Sequence, residues 1–194
     1  MQKPPLHPTE NERIATLRSL LILDTASEDR FDAVTAYAAS LFNVNICLVT
    51  LVDTNRQWFK SHHGISVQEV PREVGFCSHA ILQNDIFEIF DAKDDSRLFD
   101  SPLVIGEPFV RFYAGYPLTM RNSQHVGTLC LIDPHPKRLT TWEREHLVIL
   151  GRMVEAELQG LPSVSIEQFI SVQKGLISTC TLAERPLWKK LSSR

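Results

Sequence analysis

The segment PREVGFCSHAI, residues 71 to 81, sets Arg72, Phe76, Cys77 and His79 within eight positions. A guanidinium, an aromatic ring, a thiol and an imidazole are thus crowded together. A thiol near an imidazolium and the start of a short helix has a lowered pKa, so Cys77 is a candidate redox group. As a metal pair the segment is poor, because residues two apart on a helix diverge by about 200°. The plainer reading makes Phe76 and Cys77 pocket wall or core, with His79 satisfying a buried carbonyl. In DTNRQWFKS, residues 53 to 61, strand alternation puts Arg56, Trp58 and Lys60 on one face and Gln57, Phe59 and Ser61 on the other. An indole between two cations could sandwich a planar or anionic ligand. Alternatively, Trp58 covers the sheet and the cations face solvent. RFYAGYPL, residues 111 to 118, aligns Arg111 with Tyr113. Arg111 offers a planar fork suited to carboxylate or phosphate, unless it is taken up in an ion pair with Asp91, Asp94 or Asp95. Asp94 and Asp95 could hold a cation, but such a pair more often caps a short helix, here one capped by Asp95 or Ser96 and running to Phe99.

Other chemistry finds no footing. There is no nucleophile elbow, phosphate-cradling glycine loop or H-E-x-x-H pair, so no catalytic residue and no metal site are expected, and the chain is not expected to be an enzyme. The cysteines at 47, 77, 130 and 180 form no C-x-x-C pair. Three of them lie in apolar segments and read as small buried hydrophobes. With 20 basic against 23 acidic residues the net charge is −3. No basic excess marks a nucleic-acid partner. Ile46 to Val52 is far shorter than the roughly 20 apolar residues of a membrane span. The first residues lack the apolar centre of a secretory signal, so a cytoplasmic protein is expected.

These residues need elements to position them. Thr9 and Glu12 have capping-box spacing, and Ile14, Leu17 and Leu21 follow at helical intervals. Ser27 is a fitting N-cap for a second helix carrying Phe31, Val34, Ala38, Leu41 and Phe42. Residues 45 to 53 are a nearly continuous β-branched run, which marks a central strand. Residues 56 to 62 return as its hairpin partner. Between Gly64 and Pro108 regular structure thins to a short helix near Cys77–Leu82 and a short strand near Ile86–Phe90. Strands at 111 to 118 and 126 to 132 make a second hairpin, and a long amphipathic helix spans Thr140 to Gly160. Leu147, Leu150, Val154 and Leu158 form its apolar stripe, widened by Trp142, Ile149 and Met153. That stripe is broader than one sheet face needs, and the surplus meets either the first helix or a second subunit. A further helix is possible from Ser165 or Ile166 to Lys174, and the end, RPLWKKLSSR, is locally basic around Trp188.

The order helix, helix, hairpin, irregular crossover, hairpin, helix implies an α+β three-layer sandwich. It has a central antiparallel sheet, terminal helices on one face and the crossover on the other. The four segments DTNRQWFKS, PREVGFCSHAI, DAKDDSRLFDSPLVIGEPFVRFYAGYPL and HVGTLCLID, in this order and spacing, resemble a bacterial GAF domain. The subtype is the one often found ahead of diguanylate cyclases and sensor histidine kinases. The likeness covers roughly residues 10 to 158. HVGTLCLID corresponds to the last core strand of such domains and is assigned no chemistry beyond close packing at Gly127. The cysteine surroundings resemble neither the methionine-(R)-sulfoxide reductase branch nor the bilin-binding Pro-Cys-Ser-Asp type, and no N-K-F-D-E motif of cyclic-nucleotide binders is present. Pro4, Pro5 and Pro8 suit an extended leader at residues 1–9, the GAF domain is expected at 10–160, and a C-terminal helical tail or linker at 161–194. The resemblance implies a small-molecule sensor without catalytic activity, whose ligand meets Trp58, Phe76, Cys77, His79, Arg111 and Tyr113 between sheet and crossover. No cofactor is indicated. A homodimer contacting through the terminal helices is expected, with a signalling partner acting in trans. The competing expectations are a ligand-free dimerisation module and a redox sensor built on Cys77.

Overall fold

In the computed structural model the backbone is described for residues 1–179 and side chains for residues 1–172. Two compact units divide at Ser163 and Val164. The first holds α1 (Glu10–Ser19), α2 (Asp29–Phe42), β1 (Ile46–Val52), β2 (Arg56–His63), β3 (Glu69–Pro71), α3 (Cys77–Ala80), β4 (Phe87–Ile89), α4 (Pro102–Ile105), β5 (Phe112–Thr119), β6 (His125–Asp133) and α5 (Thr141–Leu158). The second holds α6 (Ile166–Thr179). Cys180 and the RPLWKKLSSR end lie outside the described residues.

The six strands form one antiparallel sheet in the order β3-β2-β1-β6-β5-β4. The two most apolar runs are its adjacent central strands, paired from Ile46↔Ile132 to Leu51↔Gly127. Burial on both faces is what a continuous apolar run requires. Helices α2 and α5 pack on one face and on each other, while α3 packs on β1, β5 and β6 from the other. This is the α+β sandwich expected from the element order. Gly127 has a strict steric role: a Cβ there would stand 1.9 Å from the Thr50 carbonyl oxygen.

α1 departs from the sequence reading. It lies across the end of the sheet, bonded to the β1–β2 turn through Val52 and Thr54 and to the β5–β6 turn through Asn122. Its expected capping box does not form, because the Thr9 hydroxyl donates instead to Gln124 Oε1 at 3.0 Å. Leu21, expected on the apolar face, falls beyond the helix end with φ 52 and is 85% exposed. α2 is capped at Glu28, one residue after the expected Ser27. The expected helix over Asp95–Phe99 is a run of turns. A short helix forms instead at Pro102–Ile105, where proline fits the first position and Ser101 Oγ accepts from Leu103 N. A full capping box does form at Thr140 and Glu143, at the head of α5.

Candidate functional site

The crossover side holds one continuous apolar cluster that takes in Phe76, Cys77, Phe87, Tyr113 and Cys130. Phe76 and Tyr113 pack with ring centroids 5.3 Å apart, and Phe87 meets Tyr113 at 6.0 Å. Gly115, two residues along β5, leaves room for the Tyr113 ring, since a Cβ there would come within 2.3 Å of the hydroxyl. Phe76, Cys77 and Tyr113 line a cavity with Leu48, Phe59, Leu103 and Val110. The space they enclose is only ≈ 40 Å³, room for little more than one water.

Three of the six residues expected around one cavity therefore converge, and the other three do not. Trp58 is buried between Gln57 and Phe59, which line the cavity, so its indole points to the opposite, helix-covered face. The cations beside it are also engaged. Arg56 binds Asp24, Asp53 and Glu69, and Lys60 Nζ bonds Glu28, Thr25 and the Ala26 carbonyl. A bulge opposite Val49 and Thr50 leaves Lys60 unpaired and turns Ser61 to the helix face. There Ser61 donates to Asp32 at 2.6 Å, so strict alternation fails at this point. Arg111 is held by Asp91 through a two-pronged ion pair outside the cavity, which is the structural alternative weighed above. His79 stacks on Phe87 with ring centroids 6.3 Å apart, outside the cavity lining and near Arg97 and Asp95. Burial first, then the Arg97 charge, lowers its pKa, against the pull of the Gln2 carbonyl. Its Nε2 is buried without a partner.

Sequence reasoning missed the polar half of the site. Cys130 sits on the strand that was assigned no chemistry, with its Sγ 3.7 Å from Cys77 Sγ. Thr50 Oγ1 lies 3.9 Å from Cys130 Sγ. The Tyr113 and Thr128 hydroxyls are buried there without a hydrogen-bond partner. Period-two alternation of β6 would have placed Thr128 and Cys130 on one face, but nothing in it says which segment covers that face.

A second missed feature joins the cavity wall to α1. The Arg72 carbonyl accepts from Gln57 Nε2 at 3.1 Å and from Ser78 Oγ at 2.9 Å, next to Cys77. The Arg72 guanidinium reaches Glu10 at 2.6 Å, and Glu10 is also gripped by the fully buried Arg13. Arg13 in turn donates to the Val52 carbonyl at 2.6 Å. Burial works against the Glu10 charge, but hydrogen bonds from Arg13 and then Arg72 outweigh it and hold the carboxyl at about 2.

The sequence profile of the GAF domain matches residues 27–158. The chain belongs to the GAF family. A cyclic di-GMP phosphodiesterase of Pseudomonas aeruginosa is 35% identical over 185 residues, which cover 95% of this chain and 31% of that protein. The GAF domain of an Acinetobacter phosphoenolpyruvate-protein phosphotransferase superposes with a TM-score of 0.57 at 19% identity, over 77% of this chain and 94% of its own. A type II free methionine-R-sulfoxide reductase from Thermoplasma acidophilum gives 0.55 at 13% identity, over 77% and 96%. Likeness at these identities shows the fold alone. The expectation that the chain is not an enzyme is corrected by the curated relative, which is named as a phosphodiesterase. Among the described residues no helix is long and apolar enough to cross a membrane.

Proposed function

We propose that this GAF domain is a sensory module of a signalling protein, in which a small molecule entering the crossover-side cavity alters the packing of the helices. The observation that carries the reading is the continuous hydrogen-bond path from Ser78, beside Cys77, through Arg72 to Glu10 on α1. A shift of α3 reaches α1 by that path. The likeness to a cyclic di-GMP phosphodiesterase supports a setting in cyclic di-GMP signalling. The ligand-facing residues in this reading are Phe76, Cys77 and Tyr113. With Arg111 paired and Trp58 on the other face, the favoured ligand is small and apolar or planar, not anionic. In ≈ 40 Å³ a larger molecule fits only if the crossover moves outward. Native mass spectrometry of freshly purified protein is expected to show a retained small molecule, lost on Tyr113→Trp, which overfills the site. If no mass is retained and no small molecule shifts the melting temperature, the reading falls. A ligand-free dimerisation module, whose core is filled by its own side chains, then takes its place.

The module acts as a homodimer through α5 in the same proposal. Leu147, Leu150 and Val154 are buried, whereas Trp142 and Ile149 are 44% and 38% exposed. The surplus apolar stripe therefore does not meet α1, whose exposed positions are mostly polar. A two-fold contact along α5 covers it. Sedimentation at high micromolar concentration is expected to give a dimer for the natural chain and a monomer for Trp142→Glu with Ile149→Glu. A monomer in both cases removes the claim.

A further inference from the structure

We propose that Cys77 and Cys130 are a peroxide-oxidisable dithiol, with Cys77 attacking a small hydroperoxide and Cys130 resolving it to an intramolecular disulfide. The two thiols are already in contact at 3.7 Å, one on α3 and one on β6, and α3 packs directly on that strand. Closing to the roughly 2.05 Å of a disulfide needs side-chain rotation and a small approach of α3, not refolding. The order of attack follows from access. Cys77 lines the cavity, whereas Cys130 is fully buried outside the cavity lining.

The surroundings fit a transient charge. Tyr113 and Thr128 bring two buried hydroxyls without partners to the side of Cys77, and unsatisfied donors of this kind are rare in a native core. They would donate to a thiolate or to a sulfenic oxygen. Burial works against a Cys77 thiolate, but hydrogen bonds that the thiolate would accept, from Cys130 first and then Thr128, Tyr113 and Thr50, outweigh it and lower the pKa. Cys130 is pushed the other way by burial, by its hydrogen bond with Cys77 and by the Cys77 charge, so Cys77 is the readier of the two to ionise. Cys47, the third buried thiol, has its pKa raised by burial and stays protonated.

The reaction balances. The Cys77 thiolate takes one oxygen of ROOH and becomes a sulfenic acid, and the O–O bond breaks to release alkoxide, protonated to ROH. The Cys130 sulfur then attacks Cys77 Sγ, and its proton passes to the hydroxide as that group departs. The S–S bond forms, the S–O bond breaks and water leaves. Two thiols are oxidised by two electrons and the hydroperoxide is reduced by two. The narrow cavity selects hydrogen peroxide over bulky organic hydroperoxides. This proposal stands independently of the small-molecule reading, since it needs no retained ligand.

The test treats the full chain, natively folded, with one equivalent of hydrogen peroxide, blocks free thiols and maps peptides by mass spectrometry without reductant. The expected result is a Cys77–Cys130 linked peptide pair, two hydrogens lighter, with Cys47 and Cys180 still free. In Cys130→Ser, dimedone should label Cys77, while in Cys77→Ser, Cys130 should remain unlabelled. A linkage that instead joins Cys47 or Cys180, or a Cys77 thiol left unmodified in the folded protein, overturns the proposal. The mapping on the natural chain decides even if both variants fail to fold.

Discussion

Gly127→Ala is expected to destabilise the domain by about 3 kcal/mol, near the upper end for overpacking. The added methyl would meet the Thr50 carbonyl oxygen at 1.9 Å, with the Leu51 Cα only 3.0 Å away. Both obstacles are backbone atoms of β1, so no side chain can swing aside to make room. β1 and β6 are the two central strands, and separating them disturbs packing on both faces at once. Moving the strands apart would also disturb the Thr50–Cys130 contact beneath the cavity. Urea unfolding of the variant against the natural protein measures the cost. A loss below about 1 kcal/mol would mean that the central pair yields far more easily than close-packed interiors do.

The second large effect is expected at the Glu10–Arg13–Arg72 cluster. Arg13→Met keeps much of the side-chain volume, but it leaves the Val52 carbonyl without its donor and Glu10 with Arg72 alone. Removing one partner from a buried charged network costs about 3 kcal/mol or more. A double-mutant cycle with Glu10→Gln should show strong coupling, because the two residues share one network. The cluster also makes a pH prediction with a definite sign. The Glu10 carboxyl titrates at about 2 in the folded chain against 4.5 for a free group. A depressed folded-state pKa contributes stability that is fully present above 4.5 and is lost as pH falls through about 2. Unfolding measured between about pH 5 and pH 2.5 should therefore show a steeper acid loss in the natural chain than in Glu10→Gln. Equal slopes would show that Arg13 and Arg72 do not hold this charge.

The two hairpins and the central strands of the sheet were legible in the chain, whereas the edge strand β3 was not. Ile46–Val52 and residues 126–132 are apolar at nearly every position, and only a central strand buries both of its faces. The long helix expected over Thr140–Gly160 was legible from its amphipathic stripe, and the capping box that Thr140 and Glu143 form at its head needs nothing beyond its own residues. Where local rules met tertiary competition they lost. Thr9 has the same type of spacing with Glu12, yet its hydroxyl is drawn to Gln124 in a distant turn. One bulged residue in β2 was enough to send Ser61 to the wrong face, because alternation carries no memory past an inserted residue.

The sequence by itself determined that this chain builds an α+β sandwich of GAF type, and it singled out Phe76, Cys77 and Tyr113 on the covered face. Which polar groups share that space was decided only by the tertiary structure. Cys130 stands fifty-three residues from Cys77, on a strand whose alternation says only that it faces inward. Likewise, Arg111 and Trp58 have the right chemistry for a ligand. Asp91 neutralises the one, and the pleat turns the other to the opposite side. Periodicity encodes which face a residue takes, but the identity of what covers that face depends on long-range contacts that no local pattern contains.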